Sequence, residues 1–95
     1  MRVLYTSLAR EDLRHVLDFI GLESPKNASK ILNKIESQIL NLKLQPEIGR
    51  PGRVPSTREL VITGTPFIAP YQVRLNTLVI LRIYHARRKW PERFM

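Results

Sequence analysis

The densest run of chemistry-bearing side chains is Tyr84-His85-Ala86-Arg87-Arg88-Lys89-Trp90-Pro91. A histidine that titrates near neutrality, set among arginines and aromatics, can hold a phosphodiester and move a proton. The same residue types can also neutralise phosphate and stack on bases with no bond broken. Trp90 alone reads as an aromatic packed back onto its own domain, whereas His85, Arg87 and Arg88 together read as a functional group. Other candidates are thinner. His15 sits at helical-neighbour spacing from Glu11 and Asp18, which reads as surface ion pairing, since no motif places a nucleophile beside it. Gly49-Arg50-Pro51-Gly52-Arg53 has two glycines but lacks the longer pattern of a phosphate loop.

Charge sharpens the picture. The 95 residues carry a formal net charge of +8, unevenly spread. Residues 1–48 hold seven Lys/Arg against six Asp/Glu, and residues 49–95 hold nine against two, eight of the nine being arginine. Arginine presents a planar fork that pairs bidentately with phosphate or carboxylate. The C-terminal half is therefore expected to bind an anion, either nucleic acid or an acidic protein segment, with Arg58, Arg74, Arg82, Arg87 and Arg88 as the contact residues.

Composition excludes other chemistry. Cysteine is absent, so disulfides, thiolate catalysis and cysteine-ligated metals are ruled out, and two histidines are too few for a zinc site unless carboxylates complete it. No cofactor is expected. The longest apolar run, Leu78-Val79-Ile80-Leu81, is far short of a membrane span, and the N-terminus enters a strand pattern directly, so a cytoplasmic protein is expected.

The elements that must position these residues can be read from periodicity. Residues 2–6 form a short strand. Ser7 is placed to cap a helix with Glu11 and Asp12 near its start, an apolar stripe at Leu13, Val16, Leu17 and Ile20, and Gly21 as its stop. Ser24-Pro25 starts a second helix, striped by Ala28, Ile31, Leu32, Ile35, Ile39 and Leu42 and stopped at Gln45-Pro46. A proline- and glycine-rich loop follows to Thr57. Three strand runs come next: Arg58–Ile62, Phe67–Leu75 and Leu78–Tyr84, parted by Thr63-Gly64-Thr65-Pro66 and by Asn76-Thr77. Alternation makes Phe67, Ala69, Tyr71, Val73 and Leu75 the core face, with the Tyr71 hydroxyl at a sheet margin. Pro70 predicts a bulge or an unpaired edge. The sum is one α+β domain over residues 1–95: an N-terminal strand, then an antiparallel helical hairpin packed on one face of a small antiparallel sheet, in the order β-α-α-β-β-β.

In that order and spacing the chain resembles the RelE/ParE superfamily, toxins of bacterial type II toxin–antitoxin pairs, and most of all its ParE branch. The resemblance is carried by Gly49-Arg50-Pro51-Gly52 running into Thr57-Arg58-Glu59-Leu60-Val61, by Pro70-Tyr71-Gln72-Val73-Arg74, and by Ile80-Leu81-Arg82-Ile83-Tyr84-His85-Ala86-Arg87-Arg88 before Trp90-Pro91. It implies a growth-inhibiting protein neutralised by a cognate antitoxin whose acidic, partly disordered tail wraps the toxin. ParE-like members include poisons of DNA gyrase, whereas RelE-like members cut mRNA on the ribosome with a cage of basic residues. Here Ile68 stands where the nuclease branch has a cation, and an isoleucine cannot stabilise a developing pentacovalent phosphate. Glu59 likewise replaces a basic residue. The expectation is thus a toxin that binds a DNA-handling target, gyrase foremost. The alternatives are a ribosome-dependent mRNA endoribonuclease with His85 as its acid or base, and a domain without toxicity.

Overall fold

The computed structural model describes residues 1–87. It contains β1 (Arg2–Tyr5), α1 (Ser7–Glu23), α2 (Pro25–Leu42), β2 (Arg50–Pro51), β3 (Arg58–Val61), β4 (Phe67–Arg74), β5 (Thr77–Ile80) and β6 (Tyr84–His85). The expected helical hairpin is present, with corrected ends. Thr6, not Ser7, caps α1, its hydroxyl accepting from the Ala9 N–H, so Glu11 and Asp12 fall past the first turn. Nor does Gly21 end the helix, which continues to Glu23. Ser24 is the whole joint between helices: its N–H donates to the Ile20 carbonyl (2.9 Å), while its hydroxyl accepts from the Asn27 N–H (3.2 Å). Pro25 occupies the first turn of α2, where a missing N–H costs nothing.

The strands form one sheet in the order β1-β5-β4-β3-β2, with β6 also paired to β4. The pairings among β3, β4 and β5 are antiparallel, as expected, but β1 joins β5 in parallel, so the sheet is mixed. A parallel neighbour needs a long crossover, and the helical hairpin lies in the connection that separates the two strands. The third strand run is interrupted: β5 ends at Ile80 and β6 begins at Tyr84. This break explains Pro70, which is neither bulged nor at an edge. Its carbonyl accepts from the Leu81 N–H (2.9 Å), so its ring nitrogen faces the same interrupted neighbour and forfeits no ladder bond.

The helical hairpin covers one face of the sheet. Ala9, Ile35, Ile39 and Leu42 pack there against Ile62, Phe67, Ala69, Tyr71, Leu78, Ile80 and Ile83. Val73 and Leu75 share that alternation but are exposed, because β4 runs on past the helices and Leu75 lies in the turn. On the opposite face Ile68, Pro70, Glu59 and Tyr84 are buried. No helix among the described residues is long and apolar enough to cross a membrane.

Candidate functional site

Glu59, on β3, lies on the sheet face away from the helices, opposite Pro70. Its side chain is 2% exposed. Burial on that scale demands compensation, which comes from two directions. Arg50, its cross-strand partner on β2, brings both Nε and Nη2 to 3.0 Å from Oε1, and the Arg53 N–H donates to Oε2 at 3.4 Å. The carboxylate thereby fixes the arginine loop and neutralises a cation on the edge strand β2. Tyr84 lies nearby, its pKa raised by burial and then by the Glu59 charge.

Arg58 is bound to the same loop from its other side. Its Nη1 donates to the carbonyls of Gly49 (2.9 Å) and Glu47 (3.2 Å). Tyr71, fully buried, donates its hydroxyl proton to the Pro46 carbonyl (2.7 Å) and accepts from the Gly49 N–H (2.9 Å). The hydroxyl does reach a sheet margin, where it clamps the loop. Burial raises the Tyr71 pKa, which the Gly49 hydrogen bond opposes. Gly49 must be glycine, since a Cβ there would sit 2.5 Å from the Tyr71 hydroxyl oxygen.

Arg82 is drawn to α1. Asp12 receives Arg82 Nε at 2.7 Å and Nη2 at 2.9 Å, and also accepts from the Ile83 N–H at 3.0 Å. Both side chains are largely buried, at 15% and 13% exposure. An arginine held this way pins the sheet break to the helix, a structural duty that the anion-binding expectation did not foresee. The Asp12 hydrogen bond is the main reason its pKa is raised.

His85 pairs with Phe67, whereas Tyr84 pairs with Ile68, so the two neighbours face opposite sides of the sheet. The imidazole lies edge-on to the Phe67 ring (centroids 5.8 Å apart, planes at 84°), and its Nδ1 accepts from the Arg87 N–H at 3.1 Å. Together with His15, Phe19, Ile20 and Phe67 it lines an apolar groove of about 580 Å³ between α1 and the sheet. Phe19 (74%) and Leu22 (86%) are strongly exposed on the same helix. The Arg87 side chain is exposed, and Arg88, with Lys89, Trp90 and Pro91, lies outside the described residues.

Arg74 ends β4 on the face away from the helices. The register sets it opposite Thr77, which in turn lies opposite Arg2 of β1. The expected cations are thus spread out: Arg58 on β3 against the loop, Arg82 against α1, His85 and Arg87 beside the groove, Arg74 at the far end of the sheet. Arg2, Arg50, Glu59 and Asp12 were not among the expected site residues. Arg50 and Glu59 lay in plain sight in the loop and strand motifs, but only the parallel pairing of β1 with β5 puts Arg2 beside Arg74.

Comparisons agree with this architecture. The chain is 34% identical over 91 residues to a toxin-designated protein, Y4kP, of Sinorhizobium fredii, covering 96% of this chain and 94% of that one. It is 33% identical over 87 residues to toxin RelE2 of Caulobacter vibrioides, covering 92% and 97%. Among solved structures, the chromosomal ParDE toxin–antitoxin system of P. aeruginosa superposes with a TM-score of 0.80 at 33% identity, over 90% of this chain and 95% of that one. The E. coli RelBE complex shares the fold, with a TM-score of 0.68 at 13% identity over 92% and 98%. The family profile described as the ParE toxin of the type II toxin–antitoxin system parDE matches residues 3–90. With helical hairpin, mixed sheet and arginine loop all in place, the chain belongs to the ParE family of type II toxins.

Proposed function

We propose that this toxin acts in the cytoplasm by binding a DNA-handling protein, DNA gyrase foremost, and that a cognate acidic antitoxin neutralises it. The observation that carries the reading is the Glu59–Arg50 pair. A ribonuclease of this architecture needs cations converging on a scissile phosphate, and a buried carboxylate there repels the same phosphate and occupies the nearest arginine. The remaining candidates for an acid, base or clamp are dispersed over both sides of the sheet, His85 among them. Arg58, Arg74, Arg87 and Arg88 then serve as contact residues for anionic protein surfaces.

The antitoxin surface is the groove beside α1. Its apolar lining and the exposed Phe19 and Leu22 suit the hydrophobic side of an amphipathic segment, while a net charge of +8 favours an acidic one.

The test is induced expression combined with assays on purified protein. Expected outcomes are filamentous growth arrest, a DNA-damage response and inhibition of gyrase supercoiling, with bulk translation continuing at first. Rapid cleavage of mRNA within translated codons, mapped by primer extension, would instead support the endoribonuclease reading.

A further inference from the structure

The two-residue turn between β4 and β5 departs from what a turn of its kind favours. Arg74 and Thr77 are register partners, so Leu75 and Asn76 alone make the connection, with φ of +47° and +57°. Positive φ at both positions is the geometry that glycine, asparagine and aspartate accept readily and that a bulky side chain resists. Asn76 fits. Leu75 does not, and its side chain is 99% exposed, so no packing within the domain offsets its backbone conformation.

The surroundings of Leu75 share one character. Arg74 and Arg2 flank Thr77 across three adjacent strands, which sets their backbones about 10 Å apart. Both arginines are exposed, and neither pairs with a carboxylate among the described residues. Leu4 (47%) adds exposed apolar surface on the face that Arg2 and Arg74 share, and Val73 (45%) adds it on the other face, next to the turn. Arginine interleaved with aliphatic groups is the composition of a protein-binding surface. A platform for single-stranded nucleic acid would instead present aromatic rings for bases to stack on.

We propose that the β4–β5 turn is the toxin's target-binding tip: Leu75 enters an apolar pocket on a protein partner, and Arg2 and Arg74 pair with carboxylates around its rim. This deepens the proposed function, on whose protein target it rests. Phe67, in the antitoxin groove, is at the other end of β4, about 24 Å from Arg74 along the strand. The tip contact therefore lies apart from the antitoxin groove, and the two can be mutated separately.

The test uses Leu75→Asn and the double change Arg2→Gln with Arg74→Gln. Each is scored for melting temperature, growth arrest on induction, inhibition of purified gyrase, affinity for the co-expressed product of the adjacent antitoxin reading frame, and binding to a duplex DNA oligonucleotide. Asparagine suits the turn, so Leu75→Asn raises the melting temperature while weakening growth arrest and target binding by about tenfold or more. The arginine pair loses target binding to a similar degree, and antitoxin affinity stays unchanged in both. A Leu75→Asn protein that is as toxic as the parent overturns the proposal. So does an equal loss of antitoxin affinity, which would make the tip an antitoxin contact, or DNA binding that depends on Arg2 and Arg74, which would make it a nucleic-acid surface. Growth arrest that depends on Leu75 without gyrase inhibition keeps the tip and removes gyrase as the target.

Discussion

Asp12 and Arg82 close on each other through two parallel contacts, Nε to Oδ2 at 2.7 Å and Nη2 to Oδ1 at 2.9 Å, joining the second turn of α1 to the break between β5 and β6. The carboxylate also holds the Ile83 N–H, so one side chain satisfies a guanidinium and a backbone donor at once. Asp12→Ala leaves both without their acceptor and is expected to cost about 3 kcal/mol of stability. Asp12→Ala combined with Arg82→Leu should cost less, because no largely buried cation is then left without its carboxylate. Urea denaturation of the two variants measures the difference.

Tyr71 and Gly49 give the second prediction. Tyr71→Phe keeps the ring but leaves the buried Gly49 N–H without an acceptor and the Pro46 carbonyl without a donor, a loss of about 1–3 kcal/mol. Gly49→Ala should destabilise at least as much, because its Cβ collides with the Tyr71 ring rather than with a movable chain end. Thermal melts order the variants, and a Gly49→Ala protein as stable as the parent would contradict the clamp.

Alkaline pH supplies a third. Tyr5, Tyr71 and Tyr84 each have a pKa raised in the folded state, with burial the largest cause. The folded chain thus retains phenolic protons that the unfolded chain releases near pH 10. Above that pH the unfolded state binds fewer protons, so stability falls as pH rises. Their contribution is intact below about pH 10 and is lost through the raised folded-state values. Denaturation midpoints measured from neutral to strongly alkaline pH should decline there, and Tyr71→Phe should flatten part of the decline.

The fourth concerns mechanism. His85 rests on Phe67 at the groove, and under the binding reading His85→Ala remains toxic. A general acid or base at His85 would instead make that change cost about a hundredfold or more in rate. Arg87→Ala with Arg88→Ala should abolish toxicity, each arginine supplying charge-assisted hydrogen bonds of about 1.5–3 kcal/mol. Growth on induction is the measurement, with thermal melting as the control for folding. A His85→Ala protein that melts like the parent and is harmless would refute the binding mechanism.

Much of the fold was legible because local signals agreed with the tertiary outcome. Ser24-Pro25 marked the helix joint, the Ile35–Ile39–Leu42 stripe marked the buried side of α2, and the alternation from Phe67 to Tyr71 marked the core face of β4. The misses have physical causes. Val73 and Leu75 read as core because alternation reports which side a residue faces, not whether anything covers that side. The turn was expected at Asn76-Thr77, yet the register puts Leu75, a poor turn residue, in it with Asn76. The candidate site was harder to read. Arginine content announced an anion-binding protein, but the same fork that grips a ligand can grip Asp12 or Glu59, and sequence does not say which. Both internal pairings join residues brought together by the chain's path rather than by periodicity.

The parallel pairing of β1 with β5 bears on how the toxin comes into being during translation. Arg2–Tyr5 are made before their neighbours Thr77–Ile80, which follow only after both helices and three further strands. Until then the first strand has no partner, and the hairpin lacks the β5 side chains Leu78 and Ile80 on which its core is completed. Contacts this distant in sequence form late and are costly to close. A nascent chain stalled before residue 77 is therefore no weaker version of the poison but an incomplete sheet, so the cell making it is exposed to the toxin only once β5 has been made.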